Sequence, residues 1–233
     1  MARGAMNRRQ FLTLPVALAA LSLLPSKSNA KGLKLQPVEV GQVKDGQGKK
    51  YAFLWSVSKC IFCGACVAAC NAVNYGRDKS PNASWGWPQA NTKIVETEHG
   101  DLPRFIFIQC QHCEDAPCVR NCPTGASYVD KDGGIVLVDY NLCVGCKYCI
   151  SSCPYDARWI NKEGTPSKCT WCIQRVKSGG LPACVAFCPV GARDFGDIND
   201  PNSSISKRLA AAKRVYVLMP EKNTKPKFFI VEE

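Results

Sequence analysis

Apolar residues in this chain of 233 residues occur in short runs, and most runs lead into a loop. Residues 51–55 (Tyr-Ala-Phe-Leu-Trp) and 105–108 (Phe-Ile-Phe-Ile) have the aromatic and β-branched composition of strands. Residues 126–129 and 135–138 flank an Asp-Gly-Gly turn, which predicts a β-hairpin. The pattern therefore predicts short strands that are joined by loops.

The carboxy-terminal region adds a helix and a strand to this pattern. Residues 203–213 can form a basic helix with Ser203 or Ser204 as its N-cap, and residues 227–231 read as the final strand. The basic residues of this helix and just beyond it form either a contact surface for a partner or an ordinary solvated face. They are Lys207, Arg208, Lys213 and Arg214.

Sixteen cysteines, grouped as four sets of four, dominate the chemistry of the chain. The first and third sets have the spacing C-x2-C-x2-C-x3-C, the second C-x2-C-x4-C-x3-C and the fourth C-x2-C-x11-C-x3-C. Proline follows the last cysteine of every set except the first, where Asn71 takes its place. The sets are Cys60, Cys63, Cys66 and Cys70; Cys110, Cys113, Cys118 and Cys122; Cys143, Cys146, Cys149 and Cys153; and Cys169, Cys172, Cys184 and Cys188.

The spacing of the first and third sets is that of bacterial two-cluster ferredoxins, whose fourth cysteine binds the neighbouring cluster. Glycines such as Gly64 and Gly145 let a short loop wrap closely around an iron–sulfur cube. Zinc sites of four cysteines usually consist of two separated C-x2-C knuckles, which only the fourth set resembles. Disulfides are the other alternative, since the number of cysteines is even and the chain carries an export signal. We predict iron–sulfur clusters, with zinc and disulfides as the competing interpretations.

The amino terminus is typical of a cleaved export signal, whether translation starts at Met1 or at Met6. Residues 7–12 match a twin-arginine pattern, residues 13–24 form a modest apolar stretch, and Ser-Asn-Ala at 28–30 fits a cleavage site. A bilayer-spanning helix needs about 20 apolar residues, so an uncleaved amphipathic anchor is the main alternative. The twin-arginine route exports proteins already folded around their cofactors, which keeps the thiols out of disulfides. We predict a periplasmic protein that is peripheral on the inner membrane.

The formal net charge of +11 does not by itself indicate a nucleic-acid partner. Four of the positive charges, those of Arg3, Arg8, Arg9 and Lys27, lie in the predicted signal. Four [4Fe–4S] clusters with their thiolates add about −8, which balances the basic excess of the mature chain. We therefore expect no nucleic acid among the partners.

Little in the sequence suggests a self-contained active site. His99 and His112 are its two histidines, and no haem-attachment motif, phosphate-binding loop or dinucleotide fingerprint occurs. His112 lies between Cys110 and Cys113, and packing or a hydrogen bond beside a cluster is favoured there over metal ligation. The tryptophans within residues 85–88 are interpreted as packing residues, with docking anchors as the alternative. We predict a protein without catalytic residues of its own.

The cysteine motifs resemble those of the four-cluster ferredoxin-like subunits of bacterial respiratory reductases. The chain is most similar to members with a twin-arginine signal, the iron–sulfur subunits of formate-dependent nitrite reductase, tetrathionate reductase and octahaem sulfite reductase systems. The resemblance implies an α+β fold of two interleaved ferredoxin-like units with loop insertions and little regular secondary structure. The matching motifs are Cys60-Ile-Phe-Cys-Gly-Ala-Cys66, Cys110-Gln-His-Cys-Glu-Asp-Ala-Pro-Cys118, Asn121-Cys-Pro-Thr-Gly-Ala126, Cys143-Val-Gly-Cys-Lys-Tyr-Cys149, Cys153-Pro-Tyr-Asp-Ala157, Leu181-Pro-Ala-Cys184 and Gly196-Asp-Ile-Asn-Asp-Pro201.

The resemblance also implies which cysteines bind each of four [4Fe–4S] clusters, because in this family the second set pairs with the third and the first with the fourth. After the signal (1–30), residues 105–160 then form the inner unit, while residues 31–104 and 161–233 form the outer unit. The implied ligands are Cys60, Cys63, Cys66 and Cys188 for cluster A; Cys169, Cys172, Cys184 and Cys70 for cluster B; Cys110, Cys113, Cys118 and Cys153 for cluster C; and Cys143, Cys146, Cys149 and Cys122 for cluster D.

The function implied by the resemblance is electron transfer within a respiratory complex. The partners implied are a polytopic membrane subunit that oxidises quinol and a catalytic reductase of nitrite, sulfite or tetrathionate type. That reductase is either a multihaem cytochrome c or a molybdopterin enzyme. The alternatives are a diffusible periplasmic polyferredoxin, a zinc-binding interaction protein and an enzyme with one labile catalytic cluster.

Overall fold

Strands from both ends of the chain pair with each other on one side of the cysteine loops. The computed structural model describes residues 33–37, 48–75, 92–96 and 105–233. The strands in these ranges are β1 Leu33–Pro37, β2 Tyr51–Ser56, β3 Thr92–Glu96, β4 Phe105–Phe107, β5 Ser127–Val129, β6 Val136–Val138, β7 Arg158–Ile160, β8 Pro166–Lys168, β9 Arg193–Asp197, β10 Arg214–Leu218 and β11 Phe228–Glu232. Seven of them form a mixed sheet in the order β4-β3-β1-β10-β11-β2-β9.

The helices of the described ranges are short, as expected for a chain that is mostly loops and strands. None of them has the length and apolar composition needed to cross a membrane. A π-helical turn, Asn71–Tyr75, directly follows α1, and a 3₁₀ turn spans Pro220–Lys222. The α-helices are α1 Ala65–Cys70, α2 Pro117–Arg120, α3 Tyr148–Ser151, α4 Ile173–Lys177, α5 Ala183–Ala186 and α6 Ser204–Ala211.

Strand β2 is buried on both faces, which explains its continuous run of apolar residues. It pairs in parallel with β11, where Phe53 faces Phe228, and antiparallel with β9. On one face Phe53 and Trp55 join a core that also contains the buried cysteines. On the other face Leu54 packs with residues of α6. A strand with neighbours on both edges and layers on both faces needs apolar side chains at every position.

Two small hairpins complete the structure on the cysteine side of the sheet. Strands β5 and β6 pair antiparallel with Ser127 opposite Val138, and β7 pairs antiparallel with β8. Buried cysteines share one core with residues of β2 and of the β5–β6 hairpin, so they occupy positions that apolar side chains fill in an ordinary core.

The basic residues near α6 are largely committed to ion pairs. Arg208 contacts Glu233 at 2.7 Å and Asp194 at 3.5 Å, and Arg214 contacts Glu232 at 2.6 Å. These contacts fasten the carboxy-terminal strand to the helix and to β9. Two of the four basic side chains considered for a partner surface therefore serve the fold.

The predicted elements within the described ranges are confirmed, with shifts of one or two residues at their ends. The helix predicted over residues 203–213 spans Ser204–Ala211 and has Ser203 as its N-cap. Mixed sheets with few helices confirm the α+β class. The interleaving of two units and the division at residues 104 and 160 stay predictions. The signal (1–30), His99 and the tryptophans of residues 85–88 lie outside the described residues.

Gly133, in the turn between β5 and β6, joins this hairpin to the seven-stranded sheet. Its carbonyl accepts a hydrogen bond from the backbone N–H of Tyr51 at 3.0 Å. Its φ is +88°, and a Cβ at this position would lie 2.0 Å from Cδ2 of Tyr51. Only glycine satisfies both the backbone conformation and the close approach.

We therefore expect G133A to destabilise the protein by about 3 kcal/mol, since it combines a disfavoured φ with a clash against the Tyr51 ring. Gly179 is the matched control, because its φ of +78° carries the same backbone penalty while no atom lies within 4 Å of its added Cβ. G179A should lose only about 1 kcal/mol. Anaerobic thermal unfolding of both variants is the measurement, and equal losses would contradict the packing role of Gly133.

Candidate metal centres

The sixteen cysteines surround four cavities in the folded chain, four to each cavity. Cavities A, C and D are small and similar in size, while cavity B is a wider groove. Cavity A is lined by Cys60, Cys63, Cys66 and Cys188; cavity B by Cys70, Cys169, Cys172 and Cys184; cavity C by Cys110, Cys113, Cys118 and Cys153; and cavity D by Cys122, Cys143, Cys146 and Cys149.

Each cavity takes three cysteines from one set and its fourth cysteine from another set. The first and fourth sets exchange their last cysteines between cavities A and B, and the second and third sets do so between cavities C and D. The structure thus brings together the same groups of cysteines that the family resemblance implies as ligands. The ligation itself stays a prediction.

The first turn of every cysteine set has the same unusual backbone conformation. The residue directly before the second cysteine has a positive φ in all four sets: 54° at Phe62, 43° at His112, 68° at Gly145 and 51° at Trp171. This turn brings both cysteines of each C-x2-C pair to one cavity. A non-glycine residue held there costs on the order of 1–3 kcal/mol, which the surrounding structure must offset. Since three of the four residues are not glycine, the sequence carried no signal for this shared geometry.

The first set, which lacks the proline of the other three, ends in a different way. The polypeptide continues from α1 into the π-helical turn Asn71–Tyr75. This turn carries Asn74 to cavity B, where its Nδ2 donates to Sγ of Cys70 at 3.0 Å and to Sγ of Cys172 at 3.5 Å. An amide side chain therefore holds two thiols from different sets at this cavity.

Backbone N–H groups that follow a cysteine turn back and donate to its sulfur. Such bonds run from Ser127 to Cys122 at 3.3 Å, from Trp171 to Cys169 at 3.3 Å and from Ala192 to Cys188 at 3.2 Å. At Cys122 burial raises the thiol pKa, but the N–H of Ser127 and its neighbours outweigh burial and lower the pKa. Donors placed in this way stabilise a negatively charged sulfur and raise the reduction potential of an attached cluster.

In the part of the chain that the structure describes, four cationic side chains are almost fully buried, which sequence reasoning did not anticipate. Their exposed fractions are 5% for Arg158, 4% for Lys168, 4% for Arg193 and 2% for Lys227. Buried cations are rare unless an anion compensates them. Burial is the largest influence on Lys227 and lowers its pKa to about 8. The interior of this fold is therefore built to receive negative charge.

Arg158 makes the most direct contact between a buried cation and a cysteine. Its Nη2 donates to Sγ of Cys118 at 3.1 Å and to Oγ of Ser127 at 2.7 Å, while its buried Nη1 has no hydrogen-bond partner. Burial lowers the pKa of Arg158, but the nearby thiolates of Cys118 and Cys110 outweigh burial and raise the pKa. The guanidinium keeps its charge and points it at the cysteines.

His112 is fully buried but does not line any of the four cavities. Its Nδ1 accepts a hydrogen bond from the backbone N–H of Val136 at 3.0 Å, and its ring lies 3.9 Å from that of Trp171. Burial, together with the nearby charge of Lys168, lowers the pKa of His112 well below its usual range, so the ring is neutral. The structure places this histidine in a packing role.

The residues present fit an anionic cluster that spans each cavity. Burial raises the pKa of Cys113 and of Cys184 to about 12, so these thiols lose their protons only to a metal. In the described ranges no three His, Cys, Asp or Glu side chains are placed to hold a single metal ion. Cysteines that surround a void, with donors and buried cations behind them, are suited to a group of several atoms that carries negative charge.

Comparison with known proteins agrees with this chemistry. Models of the 4Fe-4S dicluster domain match residues 59–126 and 103–198. Protein NrfC of Escherichia coli is 41% identical over 232 residues, covering 97% of this chain and 95% of the relative. A tetrathionate reductase subunit of Salmonella typhimurium is 39% identical over 227 residues (96% and 87%), and a polysulfide reductase chain of Wolinella succinogenes is 43% identical over 191 residues (78% and 94%).

Two dicluster domains and about 40% identity across nearly the whole chain decide the family. The protein belongs to the iron–sulfur subunits of oxidoreductase complexes. The predictions of [4Fe–4S] clusters and of a non-catalytic electron-transfer subunit are thereby confirmed. The zinc and disulfide alternatives are set aside.

The two buried arginines had a sequence signal that sequence reasoning missed. Arg158 ends the stretch Cys153-Pro-Tyr-Asp-Ala-Arg158, and Arg193 ends Cys188-Pro-Val-Gly-Ala-Arg193. In both stretches the arginine lies five residues after the cysteine that precedes proline. A basic residue repeated at one position of a cysteine motif indicates a common electrostatic role.

Removal of iron from the subunit should abolish its fold. Without clusters the raised thiol pKa values leave neutral cysteines beside buried cations, and that arrangement has no compensating charge. We expect far-ultraviolet circular dichroism of the anaerobic, chelator-treated protein to lose most of the strand and helix signal. Treatment with chelator under conditions that leave the clusters intact is the control. A native-like spectrum of the iron-free protein would contradict this expectation.

Proposed function

We propose that the four cavities hold four [4Fe–4S] clusters, each bound by the four cysteines that line its cavity, in two interleaved units. The single observation that carries the proposal is the division of all sixteen cysteines into four cavities of four. Bound clusters take up and release single electrons, while the protein fixes their spacing, excludes water and supplies the surrounding charge.

Side chains shared between neighbouring cavities support the linear order A-B-C-D. Arg158 lines both cavity C and cavity D. Arg193 lines cavity A; burial lowers its pKa, but the thiolates of Cys184 in cavity B and of the cysteines of cavity A outweigh burial and raise it. Trp171 lines cavity B and packs against His112, which lies in the cysteine loop of cavity C. The order follows from these three contacts, one at each junction.

Cavities A and D form the two ends of this order, and each of them has one exposed cysteine. Cys63 of cavity A and Cys146 of cavity D are exposed, whereas all four cysteines of cavity B are buried. Exposed apolar side chains flank both ends, with Phe187 at cavity A and Val144 at cavity D. Contiguous exposed apolar groups mark protein interfaces. They favour a subunit held between stable partners over a diffusible polyferredoxin.

The partners that we propose are a quinol-oxidising membrane subunit at one end and a catalytic reductase at the other. The relatives named for tetrathionate reductase and polysulfide reductase support a catalytic partner that acts on a small inorganic substrate. We propose a reductase of nitrite, sulfite or tetrathionate type, either a multihaem cytochrome c or a molybdopterin enzyme. The electron-transfer subunit itself contributes no bond-making residue.

The number and kind of clusters are tested on the anaerobically purified full-length protein. We expect about sixteen iron atoms per molecule and four one-electron centres in paramagnetic resonance after stepwise reduction. C63S, at an exposed end, should lose or alter one centre and leave the other three. An iron content far below sixteen, or silence after reduction, would overturn the proposal.

We further propose that the subunit works in the periplasm after export through the twin-arginine route, peripheral to the inner membrane. The Arg8-Arg9 pair of the amino-terminal segment supports this location. The double variant R8K/R9K should leave the protein in the cytoplasm with its clusters in place. Cell fractionation combined with iron analysis is the measurement, and a variant with R3K alone is the control. Unchanged periplasmic yield of R8K/R9K would exclude this route.

A further inference from the structure

Two buried arginines occupy equivalent positions in the two pairs of cysteine sets. Arg158 is the first residue of β7 and lies five residues after Cys153. Arg193 is the first residue of β9 and lies five residues after Cys188. They are 5% and 4% exposed. The same position after Cys122 is occupied by Ser127, which accepts a hydrogen bond from Arg158 at 2.7 Å. The equivalent positions of the second and third cysteine sets therefore meet at Arg158.

Arg158 lies at the boundary between cavities C and D. It lines both, and its Nη2 contacts Sγ of Cys118 in cavity C at 3.1 Å. Its electrostatic partners also include Cys149 of cavity D. One fixed positive charge is thus shared by two cysteine sites.

Arg193 holds the corresponding place between cavities A and B. It lines cavity A, and the cysteines whose charge acts on it come from both sites, Cys184 from cavity B and Cys66 from cavity A. Its Nη1 donates to Oε1 of the buried Gln109 at 3.0 Å, and its guanidinium lies 5.7 Å from the ring centre of Phe53. These contacts fix the direction in which the charge points.

The physical effect of such a charge follows from the redox step itself. When a cluster is reduced, one electron arrives from a donor that is oxidised by one electron, and the site becomes more negative by one charge. A nearby guanidinium, which neither gains nor loses a proton, stabilises that added charge strongly because the interior has a low dielectric constant. A charge placed between two sites favours the reduced form of both.

We propose that Arg158 and Arg193 are positioning charges that set the reduction potentials pair by pair, Arg158 for the clusters of cavities C and D and Arg193 for those of cavities A and B. The inference rests on the proposed function, because it requires a cluster in each cavity. Each arginine raises the potentials of both clusters of its own pair, so loss of its charge lowers both. The thiolates that raise the pKa of each arginine belong to its own pair, so the other pair should shift less.

The experiment is a redox titration of the anaerobic full-length protein, followed by paramagnetic resonance. R158Q should lower the potentials of two of the four centres, with a fall of about tenfold in the ratio of reduced to oxidised cluster at a fixed applied potential, which is 59 mV for one electron. R193Q should lower the other two centres by a similar factor. R158K and R193K keep the charge and should restore the ratio to within about threefold of the unmodified protein.

R120Q is the matched control, because Arg120 lies in the stretch between Cys118 and Cys122 but its side chain is 63% exposed. Solvent screens a charge of that kind, so none of the four centres should shift. If R158Q does not retain its clusters, S127D tests the same charge, since it places a carboxylate against the intact guanidinium. S127D should lower the same two centres that the inference assigns to cavities C and D.

Several results would overturn the inference while leaving the proposed function intact. These are four centres that shift together in R158Q, the same two centres shifting in R158Q and R193Q, no shift in R158Q or R193Q when that variant retains four centres, or no shift in S127D. Failure of the proposed function is visible separately, as an unmodified protein with fewer than four reducible centres. Reduction potentials that fall when the arginine is replaced by glutamine and recover when it is replaced by lysine distinguish this role from a purely structural one.

Discussion

The balance between buried positive charge and the negative charge held by the cysteines governs the rest of this structure. Four cationic side chains are almost fully buried, beside thiols whose pKa values are raised by the same burial. The buried cations are stable only beside negative charge, and the buried cysteines supply negative charge only as thiolates. A metal produces these thiolates by displacing the thiol protons. We therefore expect folding and cluster insertion to be coupled.

The cavities are variations on one local design. In every set a left-handed residue directly before the second cysteine turns the backbone around its cavity, although the residue itself is Phe, His, Gly or Trp. Backbone or amide N–H groups then donate to the last cysteine of the first, second and fourth sets, with Asn74 serving Cys70 where the others use the backbone. The strain and the donors are repeated while the side chains differ. The residue at this position differs from set to set, and so do its surroundings. Trp171 and His112 face each other, whereas Phe62 lies at the surface.

Some of this design could be predicted from the sequence, and some could not. The cysteine spacing predicted clusters because few other sites use three cysteines within seven residues, and the apolar runs at β2, β4 and the β5–β6 hairpin predicted strands. The order of the seven-stranded sheet was not predictable, because β2 pairs with β11 across a separation of more than 170 residues. Spacing gives no information about such pairing. The grouping of cysteines between sets required the family resemblance for the same reason.

The three junctions between cavities differ in a way that follows from where each cation points. At the two junctions within pairs, the guanidinium of Arg158 or Arg193 acts on cysteines of both sites. At the junction between pairs, the Nζ of Lys168 donates instead to the carbonyls of Val136 and Cys169, and the space between the sites is filled by the neutral ring of His112 against Trp171. A lysine that donates to backbone carbonyls stabilises negative charge on nearby sulfur less than a guanidinium that donates to the sulfur itself. The junctions within pairs thus carry a buried positive charge, while the junction between pairs is a packed aromatic contact.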